Sequence, residues 1–400
     1  MTKNYILTKL KRAVQCFAFI AFLAVAGSAY GQIGGNVTLG SGGNYATWQD
    51  LASDIQTKGL NAALNVTVVS DLSTTTKVSF SQPTSGGTTA TNSITIDGKN
   101  FKLTSSVSTG AAVELNGMDY MTIKNVTIQR TQTGNSGSIV LFTAGADNNV
   151  LESCILEYTA LTSTSTAGAA YVAVSNSTTS NTSSSSSVYP GVGNVIRKNL
   201  MRTTNTNSPG PTFGITLMGS TSLYTSTAAN NIISDNTIEN FYYYGIYAYY
   251  INGDQILKND ISRANATSNN AYTALRGMYI LSGRTTNQTI NIDNNVIHDL
   301  PNAGATAGPT SSMYGIYLSS MVGSATYGIS VSGNKILNIV SSASTNYGIY
   351  SSSGYYQKFN SNTISSWDAS PSSSSNFYGI YVNYGYNETE ISKNQIRLCE

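Results

Sequence analysis

Two short landmarks alternate along the second half of this chain, and that alternation limits what it can fold into more than any other feature. The first is built around a glycine: Phe213-Gly-Ile-Thr-Leu, Tyr244-Gly-Ile-Tyr-Ala, Arg276-Gly-Met-Tyr-Ile, Tyr314-Gly-Ile-Tyr-Leu, Tyr347-Gly-Ile-Tyr-Ser and Tyr378-Gly-Ile-Tyr-Val. The second is an asparagine followed two residues later by an aliphatic, at Asn199, Asn236, Asn259, Asn295, Asn334, Asn362 and Asn394. Weaker copies run upstream, at Ala112-Val-Glu-Leu, Ser138-Ile-Val-Leu and Ala170-Tyr-Val-Ala-Val, with Cys154-Ile-Leu in the asparagine register. Self-similarity of this kind marks a repeat architecture.

The shortest complete period, Asn236 to Asn259, is 23 residues, and longer periods differ by Ser/Thr/Asn/Gly-rich inserts such as 265–272 and 302–312. Short alternating runs of β-branched and aromatic residues predict strands. One helix is expected, over 46–58, where Trp48, Leu51 and Ile55 recur at helical spacing and Gly59 provides a stop. A single short turn of strands cannot bury its apolar side, whereas stacked turns share one core. Period-2 alternation within Tyr-Gly-Ile-Tyr-Leu predicts Ile and Leu inward, Gly and the second Tyr outward. The recurring asparagine suits an inward turn, because a neutral amide both donates and accepts and can bond its copy on the next rung. Cys154 occupies that position in its own turn and reads as a small buried thiol.

These units resemble the repeat of right-handed, pectin-lyase-like parallel β-helix proteins, over roughly residues 94–398. The stretch Gly42-Gly-Asn-Tyr-Ala-Thr-Trp-Gln-Asp-Leu is similar to the start of many secreted Bacteroidetes surface β-helix proteins. The resemblance implies an all-β, right-handed parallel β-helix of nine or ten turns with a short N-terminal α-helical cap on the first coil. It also implies that further turns and a C-terminal sorting domain follow Glu400. The expected organisation is a signal peptide over 1–31, a capping region over 32–93 and repeats over 94–400.

The leader is read from Lys3, Lys9, Lys11 and Arg12, the apolar run Ala13 to Ala26, and small residues at Ala29-Tyr30-Gly31. The apolar run is shorter than a membrane helix needs, and no later stretch comes closer. Cleavage near Gly31 would leave 17 Lys and Arg against 19 Asp and Glu, hence a near-neutral secreted or outer-surface protein handled by the secretion machinery. That balance gives no reason to expect a nucleic-acid partner. Cys154 and Cys399 belong to distant rungs, so a disulfide between them is not expected.

Residues for chemistry are scarce. The resemblance raises a polysaccharide lyase or glycoside hydrolase, yet Asn-Thr-Asp, Asp-Asp, Gly-His-Gly and Arg-x-Lys, which polygalacturonase-like members carry, are all absent. Pectate lyases cluster aspartates around calcium; here Asp235, Asp254, Asp260, Asp293 and Asp299 are scattered. Asn252-Gly-Asp254 and Asn291-Ile-Asp-Asn-Asn each offer one carboxylate, too few for calcium, so no metal or cofactor is expected. Arg263 and Asp299 each lie four residues after a column asparagine and should neighbour one another, beside His298, the only histidine. They could act as base and charge stabiliser, or form a plain surface ion pair beside a solvent-facing histidine.

The tyrosines say more. Tyr247, Tyr279, Tyr317, Tyr350 and Tyr381 hold the same outward position on five consecutive turns, with Thr216 the first departure from the series. Tyr242, Tyr243, Tyr249, Tyr250, Tyr355, Tyr356, Tyr384 and Tyr386 lie close in sequence. Each presents an apolar ring and a polar tip, so the ladder either binds a polysaccharide or cell-surface glycan or only stacks on itself. The expectation is a non-enzymatic, adhesin-like or glycan-binding protein; the alternative is a lyase or hydrolase with an unrecognised active site. An ice-binding solenoid would need a regular Thr-x-Thr array, which is missing.

Overall fold

The computed structural model of the protein describes residues 31–162, 168–176, 190–205, 208–219, 229–264, 272–282, 288–300, 309–341, 343–369 and 376–397. The leader expected over 1–31 lies almost wholly outside them, as do Cys399 and most of the inserts. Three parallel sheets, of 13, 11 and 10 strands, run the length of the chain. Successive turns give one strand to each: for example Gln255–Leu257, Asp260–Ser262 and Tyr272–Leu281 belong to the first, second and third sheet. This is a parallel β-helix, and right-handed winding is the sense that parallel crossovers take. Parallel pairing begins at Ile33–Leu39 with Leu60–Val68, so strands of the 32–93 stretch share the same sheets.

Stacking in register puts like on like. In the first sheet Ile233, Ile256, Ile292, Val331 and Phe359 pair successively, and all are buried in one continuous core. Each fully buried side chain of this size contributes about 1.5–3 kcal/mol. The helix is Trp48–Lys58. Thr47 caps it, its hydroxyl accepting from the Asp50 amide while the Asp50 carboxylate accepts from the Thr47 amide, and Trp48, Leu51, Ala52 and Ile55 are buried. Trp48 packs edge-on against Phe80 of the third sheet.

The asparagines form the inward ladder expected of them. From Asn236 to Asn394 each side-chain Oδ1 accepts from both the backbone amide and Nδ2 of the asparagine one rung earlier, at 2.9–3.2 Å. Cys154 heads the column, donating its amide to Asn199 Oδ1 at 2.9 Å. Burial pushes its thiol up to about 12, so it stays an unreactive filler. A second ladder, not foreseen, runs beside it: Asn149, Asn194, Asn231 and finally Asp254, each accepting from the amide of the one before. Asp254 is therefore a buried ladder member. Asp293 likewise serves a turn, accepting from the Ser330 hydroxyl and the Ser332 amide.

One expectation about parity is wrong. The glycine of Tyr-Gly-Ile-Tyr faces inward together with the isoleucine after it. A Cβ on Gly245 would stand 2.4 Å from Ile261 Cγ2, and on Gly277 2.6 Å from Ile297 Cγ2. Gly214, Gly315, Gly348 and Gly379 are crowded in the same way by Ile238, Ile336, Ile364 and Ile396. The aliphatic of Asn-x-Ile thus fills the space where a side chain would be, and only glycine fits beneath it. Because two consecutive residues turn inward, strict alternation breaks and the residue before the glycine turns outward as well.

Candidate functional site

The consequence is a strip with two rows of rings on the third sheet. In the foreseen row, Tyr247, Tyr279, Tyr317, Tyr350 and Tyr381 pair in register. Their ring centroids are 5.2, 5.1, 4.9 and 5.5 Å apart with interplanar angles from 2° to 27°. The second row is Tyr244, Arg276, Tyr314, Tyr347 and Tyr378, three residues earlier on each strand. Tyr314, Tyr347 and Tyr378 stack at 5.0 and 5.1 Å. Between rows the rings meet edge to face, as in Tyr314–Tyr317 at 4.8 Å and 85° and Tyr347–Tyr350 at 4.8 Å and 65°.

This geometry decides what the strip can offer. Ring faces are spent on neighbouring rings, so they are not free to lie against a sugar as the sequence suggested. What points outward is ring edge and hydroxyl. The tyrosines of both rows are partly exposed, Tyr378 most at 37%. Among the described residues, the hydroxyls of Tyr279, Tyr350 and Tyr381 are not among the buried polar atoms left without a partner. Burial raises the phenols: Tyr244 and Tyr347 are each pushed up to about 12, and Tyr247 higher still. They are neutral donors and acceptors at any physiological pH.

Arg276 interrupts the second row. Its guanidinium lies 5.2–5.8 Å from the ring centroids of Tyr243, Tyr244, Tyr279, Tyr314 and Tyr317, within cation–π range of all five, and Nη1 donates to the Tyr244 hydroxyl at 3.2 Å. The strip ends upstream at Thr216, which is fully buried with Leu141 and Ala173 above it. There an outer apolar cluster of Ala111, Leu141, Ala170, Ala173 and Phe213 takes over, with Tyr244 and Tyr247 packed on its edge.

The other tyrosines scatter. Tyr249 stacks beside Tyr247 at 5.9 Å and Tyr242 is buried, whereas Tyr355 and Tyr386 stack on each other at 4.7 Å on the first sheet. Tyr356 lines a cleft of about 290 Å³ on that sheet with Lys358, Glu388 and Glu390.

The Arg263–Asp299 pairing expected from spacing gives way to a different arrangement. His298 is clamped between two carboxylates, Nδ1 2.6 Å from Asp299 and Nε2 2.7 Å from Asp260 one rung earlier, while the Arg263 side chain is buried. The hydrogen bond to Asp260, then that to Asp299, lifts His298 to about 9. At neutral pH it is a cation held from both sides, without the free lone pair a general base needs. Among the described residues no cluster of His, Cys, Asp or Glu is arranged to hold a metal ion.

Fold and surface together define a parallel β-helix protein carrying a two-row aromatic strip on one sheet. No family model matches the sequence, and no curated protein matches it. Among solved structures, the GH136 lacto-N-biosidase from Eubacterium ramulus is similar over 91% of this chain and 68% of its own, at 11% identity and a TM-score of 0.48. The Streptococcus pneumoniae surface protein and adhesin PfbA is similar over 85% of this chain and 88% of its own, at 12% identity and a TM-score of 0.37. A double mutant of the tailspike protein of E. coli bacteriophage HK620 is similar over 95% of this chain and 62% of its own, at 10% identity and a TM-score of 0.47. At such identities the likeness is one of fold alone.

Proposed function

We propose that this is an exported β-helix protein that binds a linear glycan along the tyrosine strip. The observation that carries the reading is periodicity on a partly exposed face: a tyrosine recurs in register on every rung, about 4.8 Å apart, over five consecutive turns. A chain of sugars presents hydroxyls at a comparable repeat, and neutral phenols can both donate to them and accept from them. Stacked rings are also rigid, so a ligand orders few side chains on binding.

The test keeps the stack and removes the hydroxyls. Tyr279→Phe combined with Tyr350→Phe leaves every ring in place, so the fold should be unaffected. With a net contribution of about 1 kcal/mol per hydrogen bond, affinity for a retained polysaccharide should fall roughly tenfold or more. Affinity electrophoresis against a panel of soluble polysaccharides supplies the measurement. Binding unchanged in the double variant, or no retention of the parent chain by any member of the panel, would leave the strip as a purely structural stack. Assaying the same incubations for new reducing or unsaturated ends separates binding from the lyase or hydrolase alternative.

Export is the second part of the proposal. It rests on the basic residues, apolar run and small residues of the first 31 positions. The secreted protein should begin at Gln32 when its N-terminal peptide is sequenced by mass spectrometry; recovery of an intact Met1 peptide from the cell envelope contradicts it.

A further inference from the structure

We infer that Arg276 is the recognition point for an anionic group on the glycan, so that the strip selects chains carrying sparse acidic substituents over neutral ones. This rests on the glycan-binding reading of the strip and adds its charge preference. The first observation is the missing counter-ion. Elsewhere on the outer faces of the first and second sheets, Arg197 is matched with Glu152 and Arg202 with Glu157. Arg276 takes part in none of the ion pairs among the described residues, and its Nε is buried without a hydrogen-bond partner. The inserts 265–271 and 301–308, which precede its own strand and the next, contain no Asp or Glu. A guanidinium set among five rings loses hydration that cation–π contacts recover only in part. An oxyanion from outside the chain would supply the rest.

The second observation is position. Arg276 lies inside the strip, between Tyr244 and Tyr314 in one row and beside Tyr279 and Tyr317 of the other. Its ring neighbours hold the guanidinium plane, which pre-pays the ordering of a long side chain for a charge-assisted hydrogen bond to a carboxylate or sulfate ester. It is also the sole cation in the two rows, whose other members are tyrosines. A polymer charged on every sugar would set carboxylates against phenols and ring edges on the other rungs, where no cation answers them. The fit is to a heteropolysaccharide with one acid per repeat, its remaining sugars neutral.

The experiment uses the full chain with gellan, which carries a single glucuronate per repeat, and with carboxyl-reduced gellan, its neutral counterpart. A lightly sulfated galactan and its desulfated form make the parallel arm, which tells a carboxylate from a sulfate ester. A hydrogen bond to a charged group contributes about 1.5–3 kcal/mol, so one acidic form should bind about tenfold or more tighter than its neutral partner. Arg276→Gln should erase that preference, and Arg276→Lys, which keeps charge without the planar guanidinium, should retain part of it. Circular dichroism and the unfolding midpoint establish that each variant is folded. Equal affinity of the parent chain for acidic and neutral forms in both arms, or an undiminished preference in folded Arg276→Gln, overturns the assignment and leaves a neutral glycan platform. Binding to none of the polymers overturns the strip's function along with it.

Discussion

Replacing Asn295 by leucine should destabilise the protein by roughly 3–5 kcal/mol, a large share of the 5–15 kcal/mol that holds a typical domain together. Leucine is close to asparagine in size, so the loss is one of hydrogen bonds, not volume. Asn295 Oδ1 accepts from the Asn259 amide at 2.9 Å and from Asn259 Nδ2 at 3.0 Å. Its own Nδ2 donates to the Ile256 carbonyl at 2.9 Å and to Asn334 Oδ1 at 3.0 Å. Without it the Asn259 amide is stranded in the core, and three further buried atoms lose a partner. Each stranded group costs about 1–3 kcal/mol. Asn394 provides the graded control: its position is only partly buried, so the same change there should cost much less. Urea unfolding followed by circular dichroism would measure both. A shift below about 1 kcal/mol at Asn295 would mean that water or a relaxed backbone replaces the ladder.

Asp254 should make stability depend on pH in a way that Asp254→Asn does not. Burial lifts its carboxyl from 3.8 to about 6, against the lowering influence of the Asn231 and Asn252 amides that it accepts. The folded state thus holds this proton more tightly than the unfolded chain. The stability it contributes is complete below pH 3.8 and is lost as pH rises through 6, an amount of about 3 kcal/mol for a shift of this size. Other half-buried carboxylates shift the same way but are common to both proteins, and His298 titrates higher, near 9. The variant's loss of an acceptor for the Asn252 amide is the same at every pH. The difference in unfolding midpoint between variant and parent should therefore move in the variant's favour from pH 4 to pH 7. Midpoints that run parallel across that range would show that Asp254 ionises freely in the folded protein.

The contrast between these two columns explains what the sequence could and could not reveal. The first ladder was legible because Asn-x-Ile recurs with its glycine partner, so position in the repeat identified each member, including Cys154. The second was written in the same letters, Asn194, Asn231 and Asp254, each five residues before a column asparagine. It goes unread because its last member is an aspartate, which the sequence presents only as a lone carboxylate, too few for calcium. The row of Tyr247, Tyr279, Tyr317, Tyr350 and Tyr381 followed from alternation counted forward from isoleucine. Counting backward across the glycine failed, because that glycine faces inward beneath an isoleucine from a strand of the second sheet, and no local pattern announces such a contact between sheets. Arg276 is the one cation in a tyrosine column, but its significance depends on five rings drawn from three successive rungs. His298 shows the same limit: spacing placed it beside Asp299, while its second partner, Asp260, comes from the rung before.

The ladder also bears on how such a protein changes over evolutionary time. Successive members of the column are separated by 45, 37, 23, 36, 39, 28 and 32 residues. The amide contact between them stays within 2.9–3.2 Å throughout. Insertions and deletions in the connections therefore leave the register of the asparagine column untouched. Lineages can trade loop segments, and designers can graft new ones beside the tyrosines, while selection on the coil acts on little more than one asparagine, one glycine and a few aliphatics per turn.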